Sequence, residues 1–169
     1  MAKTVFIFRH GKSNWNAAYS TDHARPVAPR GRNAARLMGR FVRDSGQIPD
    51  LVITSSALRA RSTAALAVET GGWPCPLKVE PRLYEAHAST ILELVQVLPR
   101  SLVSVMLVGH EPTCSASVGL LSGQGNVRFP TAAMARIDFD VDSWERVQAE
   151  GGRLIWMLPP KVLKGVATD

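Results

Sequence analysis

The sequence predicts an α/β protein: a three-layer α/β/α domain with a mainly parallel sheet and an antiparallel edge. Three observations predict it. Apolar runs of strand length recur along the 169 residues, and the stretches between the earlier ones carry helical periodicity. Those earlier runs are almost continuously apolar, as strands covered by helices on both faces must be. The last third alternates instead, and its two runs are joined by too few residues for a helical crossover.

The elements follow in order. A strand is expected over residues 4–8. The turn Pro29-Arg30-Gly31 then precedes a helix in which Ala34, Leu37, Met38, Phe41 and Val42 recur at three and four. A strand over 51–54 leads to a helix over 57–69. A weaker strand at 77–79 precedes a helix over 89–98, a strand over 104–108 and a helix over 113–121. Runs at 134–139 and 154–158 form a hairpin at one edge, because the link between them holds no crossover helix.

Length and composition fit one domain spanning 1–169, since single cores run to about 200 residues before splitting. With 46% hydrophobic and 20% charged residues, the chain has enough apolar matter for a full core, which excludes disorder as its main state. No apolar run approaches the roughly 18 residues of a membrane span, and the start shows no secretory leader, so a cytoplasmic protein is expected. Cys75 and Cys114 lack metal-site spacing and read as free thiols. The net charge of +6, 20 Lys and Arg against 14 Asp and Glu, favours anionic partners without choosing among them.

Chemistry is expected where parallel strands end, because open α/β sheets bind ligands outside their carboxyl edge. The first strand runs into Arg9-His10-Gly11-Lys12-Ser13, with Gly11 letting the backbone turn tightly. The strand at 51–54 runs into a helix whose first turn carries Arg59. The strand at 104–108 ends in Gly109-His110-Glu111-Pro112. Any one of these residues reads more simply as structure. Together Arg9, His10, Arg59 and His110 occupy the one edge where ligands bind. Two arginines would repel a cation, and no carboxylate cluster accompanies them, so no metal or cofactor is expected. They suit an oxyanion instead: guanidinium forks hold phosphoryl oxygens, and a neutral histidine can attack phosphorus.

These motifs resemble the histidine phosphatase superfamily, also called phosphoglycerate mutase-like, and most of all its short SixA-type phosphohistidine phosphatases. The resemblance rests on 9–13, on Ser55-Ser56-Ala57-Leu58-Arg59-Ala60-Arg61-Ser62-Thr63-Ala64, and on 108–112. It extends to Arg25-Pro26-Val27-Ala28-Pro29-Arg30-Gly31 and Arg82-Leu83-Tyr84-Glu85-Ala86, in the family's order across about residues 4–123. It implies that His10 is a nucleophile that becomes phosphorylated, that Arg9, Arg59, His110 and Ser13 bind phosphate, and that Glu85 matches a proton donor. Partial desolvation of Glu85 by Leu83, Tyr84 and Ala86 would suit that role. Glu111 departs from the asparagine frequent in relatives, and a carboxylate beside the pocket would oppose a bound phosphate unless it turned outward; the sequence leaves its direction open. The implied substrate is a phosphohistidine on a protein, with a small phosphate ester as the alternative.

The remaining polar residues read more plainly. His23 and His87 are expected at the surface, and Cys114 as a packed thiol. Asp138, Asp140 and Asp142 lack the glycine and glutamate of a calcium loop and read as the solvent face of an edge strand. Arg32, Arg36 and Arg40 recur at four and form a solvated helix face. Their alternative is a non-catalytic module binding nucleic acid or an acidic protein, which the strand-end residues argue against.

Overall fold

The computed structural model describes residues 2–123 and 125–166. Six strands form one sheet in the order β3-β2-β4-β1-β5-β6: β1 (Lys3–Arg9), β2 (Leu51–Thr54), β3 (Leu77–Val79), β4 (Ser104–Gly109), β5 (Met134–Phe139) and β6 (Gly152–Leu158). The first four lie parallel. β5 runs antiparallel to β1, and β6 antiparallel to β5. The helices are α1 (Pro29–Asp44), α2 (Leu58–Gly71), α3 (Ala88–Gln96), α4 (Thr113–Ser122) and the short α5 (Pro160–Leu163).

Alternation along each strand sends side chains to two cores. Phe6, Phe8, Val52, Met106, Val108 and Met134 pack against Met38, Val42, Ala60 and Ala64 of α1 and α2. Val5, Ile7, Leu51, Ile53, Val105 and Leu107 pack against Ile91, Leu94, Val118 and Leu121 of α3 and α4. The three layers expected from the sequence are therefore present.

Some local expectations change. Pro29-Arg30-Gly31 is the first turn of α1, not a turn before it; proline suits the first helical positions, where its missing N–H has no intrahelical partner. β3 is exposed at all three residues, which accounts for its weak apolar signal. The hairpin of β5 and β6 lies at one edge of the sheet as expected, with β6 outermost. Asp138 lies inside the sheet and half-buried, accepting from Thr4 Oγ1 at 2.8 Å and paired with Arg136. Only Asp140 and Asp142 keep the expected exposure.

Candidate active site

The site grows from the register of the central strands. β1 and β4 pair so that Arg9 faces Gly109, and His10 N–H continues the ladder to Gly109 O at 3.0 Å. The next residue of each chain, His10 and His110, therefore leaves the sheet at one level, with ring centroids 5.2 Å apart. β2 ends one residue earlier, and Ser55 meets His110: Ser55 Oγ lies 2.8 Å from His110 Nε2. Arg59 follows in the first turn of α2, as expected. Thr63, one turn on, accepts Gly11 N–H at 2.9 Å and donates to Arg59 O at 2.7 Å, tying β1 to α2.

Gly11 is needed for close approach and not for a left-handed turn. Its φ is not positive, and an added Cβ would sit 2.6 Å from the Gly31 carbonyl. Gly31 reciprocates, since its Cβ would lie 2.4 Å from Lys12 O. The strand end thus lies directly against the first turn of α1.

His10 is 7% exposed, and its Nδ1 lies 2.7 Å from Gly11 O. A carbonyl only accepts, so Nδ1 carries the proton and donates, leaving the lone pair on Nε2. Burial pushes its pKa down to about 3; His110, Arg59 and Arg9 act in the same direction, while the Gly11 carbonyl opposes them. His110 is lowered to about 4, first by burial and then by Arg59. Both rings are therefore neutral at neutral pH.

Arg9 is half-buried and donates to Phe129 O at 2.8 Å. Arg59 is 6% exposed and spends its outer edge on Asp22, donating through one nitrogen to the carbonyl at 2.8 Å and through the other to Oδ2 at 3.1 Å. Arg9 Nε, Ser13 Oγ, Arg25 Nε, Arg59 Nε and His110 Nδ1 are all buried and have no hydrogen-bond partner among the described residues. Such groups are costly to bury unless something satisfies them. Three of them belong to guanidiniums that lie near His110, the donor groups that an oxyanion site requires.

The sequence singled out Arg9, His10, Ser13, Arg59 and His110; the structure brings Arg9, His10, Arg59 and His110 together, and buries Ser13 in a backbone bridge to Val27. Glu85 follows Tyr84, whose ring packs edge-on to His110, but is itself exposed, with a left-handed φ of 57°. The expected apolar screen does not form. Leu83 is buried in the core, Tyr84 turns its hydroxyl to Asp22, and Glu85 is left in solvent. Glu111 turns outward: its carboxylate accepts Ser115 N–H at 2.7 Å and Ser115 Oγ–H at 2.8 Å, capping the first turn of α4. Cys114 is buried, and burial raises its thiol, as suits a packed side chain. Arg40 is exposed, but Arg32 is half-buried and donates to Val27 O, so the basic stripe is not a uniform solvated face.

Sequence reasoning missed the loop that covers the pocket. His23, expected at the surface, stands at the rim with Nε2 2.9 Å from Ser56 Oγ and its ring edge-on to Tyr84. Tyr84 is in turn edge-on to His110. Asp22 joins Arg59, Arg25 and Tyr84, and the Tyr84 hydroxyl, followed by the arginines, lowers its carboxyl to about 2. Loop residues carry no periodicity, so only the Arg25-Pro26 block pointed towards this region.

The family model of the histidine phosphatase superfamily (branch 1) matches residues 5–97, more than half of the chain. The chain belongs to the histidine phosphatase superfamily. Its similarity to an uncharacterised protein of Mycobacterium tuberculosis is 35% identity over 137 residues, covering 75% of this chain and 84% of that one. The phosphohistidine phosphatase SixA of Escherichia coli is 27% identical over 163 residues, covering 95% of this chain and 96% of SixA. A solved structure of the protein histidine phosphatase SixA complexed with tungstate superposes with a TM-score of 0.83 at 27% identity, covering 95% of this chain and 99% of that one. This protein therefore shares the fold of SixA along nearly its whole length, and it is a phosphatase of that superfamily.

Proposed function

We propose that this histidine phosphatase acts without a metal on phosphohistidine in a protein, through a covalent phosphohistidine on His10. The observation that carries the reading is the Nδ1–H of His10 held by Gly11 O, which leaves the Nε2 lone pair free on a ring that lies near Arg9, Arg59 and His110. Nε2 attacks phosphorus in line, the bond from phosphorus to the leaving nitrogen breaks, and His10 becomes a phosphorylated imidazolium. The developing charge on the phosphoryl oxygens meets Arg9, Arg59 and His110, which are already in place and need no reorganisation. Ser13 Oγ adds a further polar contact. Water then attacks phosphorus, Nε2 departs with the bonding pair, and the water proton passes to solvent. Burial keeps His10 neutral and ready to attack, which supports the nucleophile role.

A phosphohistidine leaving group departs as neutral imidazole when its other nitrogen carries a proton, so it needs little acid assistance. That fits a site beside which Glu85, next to Tyr84 in the chain, is exposed. Glu85 is the residue we assign to protonate more basic leaving groups when a small phosphate ester binds. The whole-length likeness to SixA supports a protein substrate.

The test is a brief exposure to a phosphohistidine protein or to nitrophenyl phosphate, followed by quenching. The protein is expected to carry an alkali-stable, acid-labile phosphate, and His10→Ala to lose label and turnover together. Excess chelator is expected to leave the rate unchanged. Label that persists in His10→Ala, or an acid-stable phosphoester, overturns the assignment.

A further inference from the structure

Arg25 belongs to no strand or helix and follows a 3₁₀ turn over Asp22–Ala24, yet it is only 6% exposed. Its guanidinium lies 3.6 Å from the centroid of the Trp15 ring, in cation–π contact, while Trp15 itself is largely solvent-exposed. One terminal nitrogen pairs with Asp22 Oδ1. The Nε is buried with no partner among the described residues. An ion pair serving only to fix a loop gains little and could remain at the surface, whereas burying a guanidinium with an open N–H is costly.

Asp22 gives its other oxygen, Oδ2, to Arg59 at 3.1 Å, so one carboxylate holds two guanidiniums from outside. Each of them keeps an unpartnered Nε, as Arg9 does. The three guanidiniums all lie close enough to His110 to disfavour its protonation, and Asp22 opposes them there. Glu111 is engaged by Ser115 and Glu85 faces solvent. With both histidines neutral, the cluster is left about two positive charges in excess, and a phosphoryl monoester carries close to two negative ones at neutral pH. A purely structural ion-pair cluster would balance itself.

We propose that Arg25 is a third guanidinium of the phosphoryl cradle, with Asp22 as the counter-anion that orients Arg25 and Arg59 together. This inference rests on the phosphatase reading and adds a binding residue to it. Trp15 then serves to hold the plane of Arg25, so that its guanidinium stays beside Arg59 and His110.

The test compares Arg25→Ala and Arg25→Gln with the wild type for nitrophenyl phosphate turnover and for inhibition by vanadate, which mimics the five-coordinate transition state. Folding is checked by circular dichroism and thermal denaturation. Arg25→Ala is expected to lower kcat/KM on the order of a hundredfold, with vanadate inhibition weakening to match, as loss of a preorganised donor does. Arg25→Gln keeps a polar planar group on Trp15 but no charge; it is expected to show the same loss, and it decides the matter if the alanine variant does not fold. A folded variant of either kind with wild-type turnover and vanadate inhibition overturns the proposal and makes Arg25 a loop anchor. If the wild type itself neither turns over phosphate nor binds vanadate, the phosphatase reading falls first.

Discussion

At the scale of single residues the chemistry turns on which nitrogen of His10 carries a proton. The Gly11 carbonyl can only accept, so the ring is held as the Nδ1–H tautomer, and burial keeps it uncharged. Long-range nitrogen–proton NMR of the imidazoles is therefore expected to show both His10 and His110 neutral at about pH 6, with Nε2 of His10 unprotonated. A His10 that titrates at the ordinary 6.5, or that carries its proton on Nε2, would contradict the geometry. Asp22 shows the same logic with the opposite charge. Hydrogen bonds from Tyr84 and the two arginines stabilise its ionised form, so it is a fixed anion at neutral pH and no proton donor.

At the scale of elements the decisive contact is the crossing of the β1 end over the first turn of α1. Two glycines allow it, Gly11 and Gly31, each of which would drive a Cβ into the other segment's backbone. The same device recurs between α1 and α2, where a Cβ on Gly39 would lie 2.4 Å from the Ala67 carbonyl. Helix propensity alone says that Gly31→Ala should stabilise α1 by about 1 kcal/mol. Packing says the reverse, because a backbone atom cannot step aside as a flexible side chain can. Gly31→Ala is expected to destabilise the protein by about 1–3 kcal/mol in urea denaturation and to slow turnover by shifting the His10 loop. Gly109→Ala, whose Cβ meets nothing within 4 Å, is expected to unfold at wild-type urea concentration. Equal behaviour of the two variants would show that close approach is not what these glycines provide.

At the scale of the whole molecule the buried histidines couple the site to stability. In the unfolded chain both rings take a proton as the pH falls through 6.5; in the folded protein they resist until about 3 and about 4. The unfolded state binds more protons in that window, so stability falls as pH falls through it and is fully present above 6.5. The urea midpoint is expected to drop between pH 6.5 and 4, and His10→Gln with His110→Gln to remove much of that slope. A wild-type midpoint that stays constant over this range would mean that the two rings are not held neutral by the fold.

Much of this protein could be read without coordinates. Strand and helix periods are local, so the continuous apolar runs of β1, β2 and β4 and the alternation of β5 placed the layers and the antiparallel edge. The parallel sheet in turn located Arg9, His10, Arg59 and His110, since each stands within a few residues of a strand end and shares its edge. Short chain distance from a strand leaves a side chain little freedom to be elsewhere. The rest was decided by tertiary structure. Asp22, His23 and Arg25 lie on a loop far in sequence from Arg59, Ser56 and Tyr84, and nothing in their spacing shows that they meet. The same contacts draw Tyr84 inward and leave Glu85 in solvent, contrary to the apolar setting its neighbours suggested. A loop's conformation is set by the side chains it docks against, and those partners become neighbours only when the sheet brings its strand ends together.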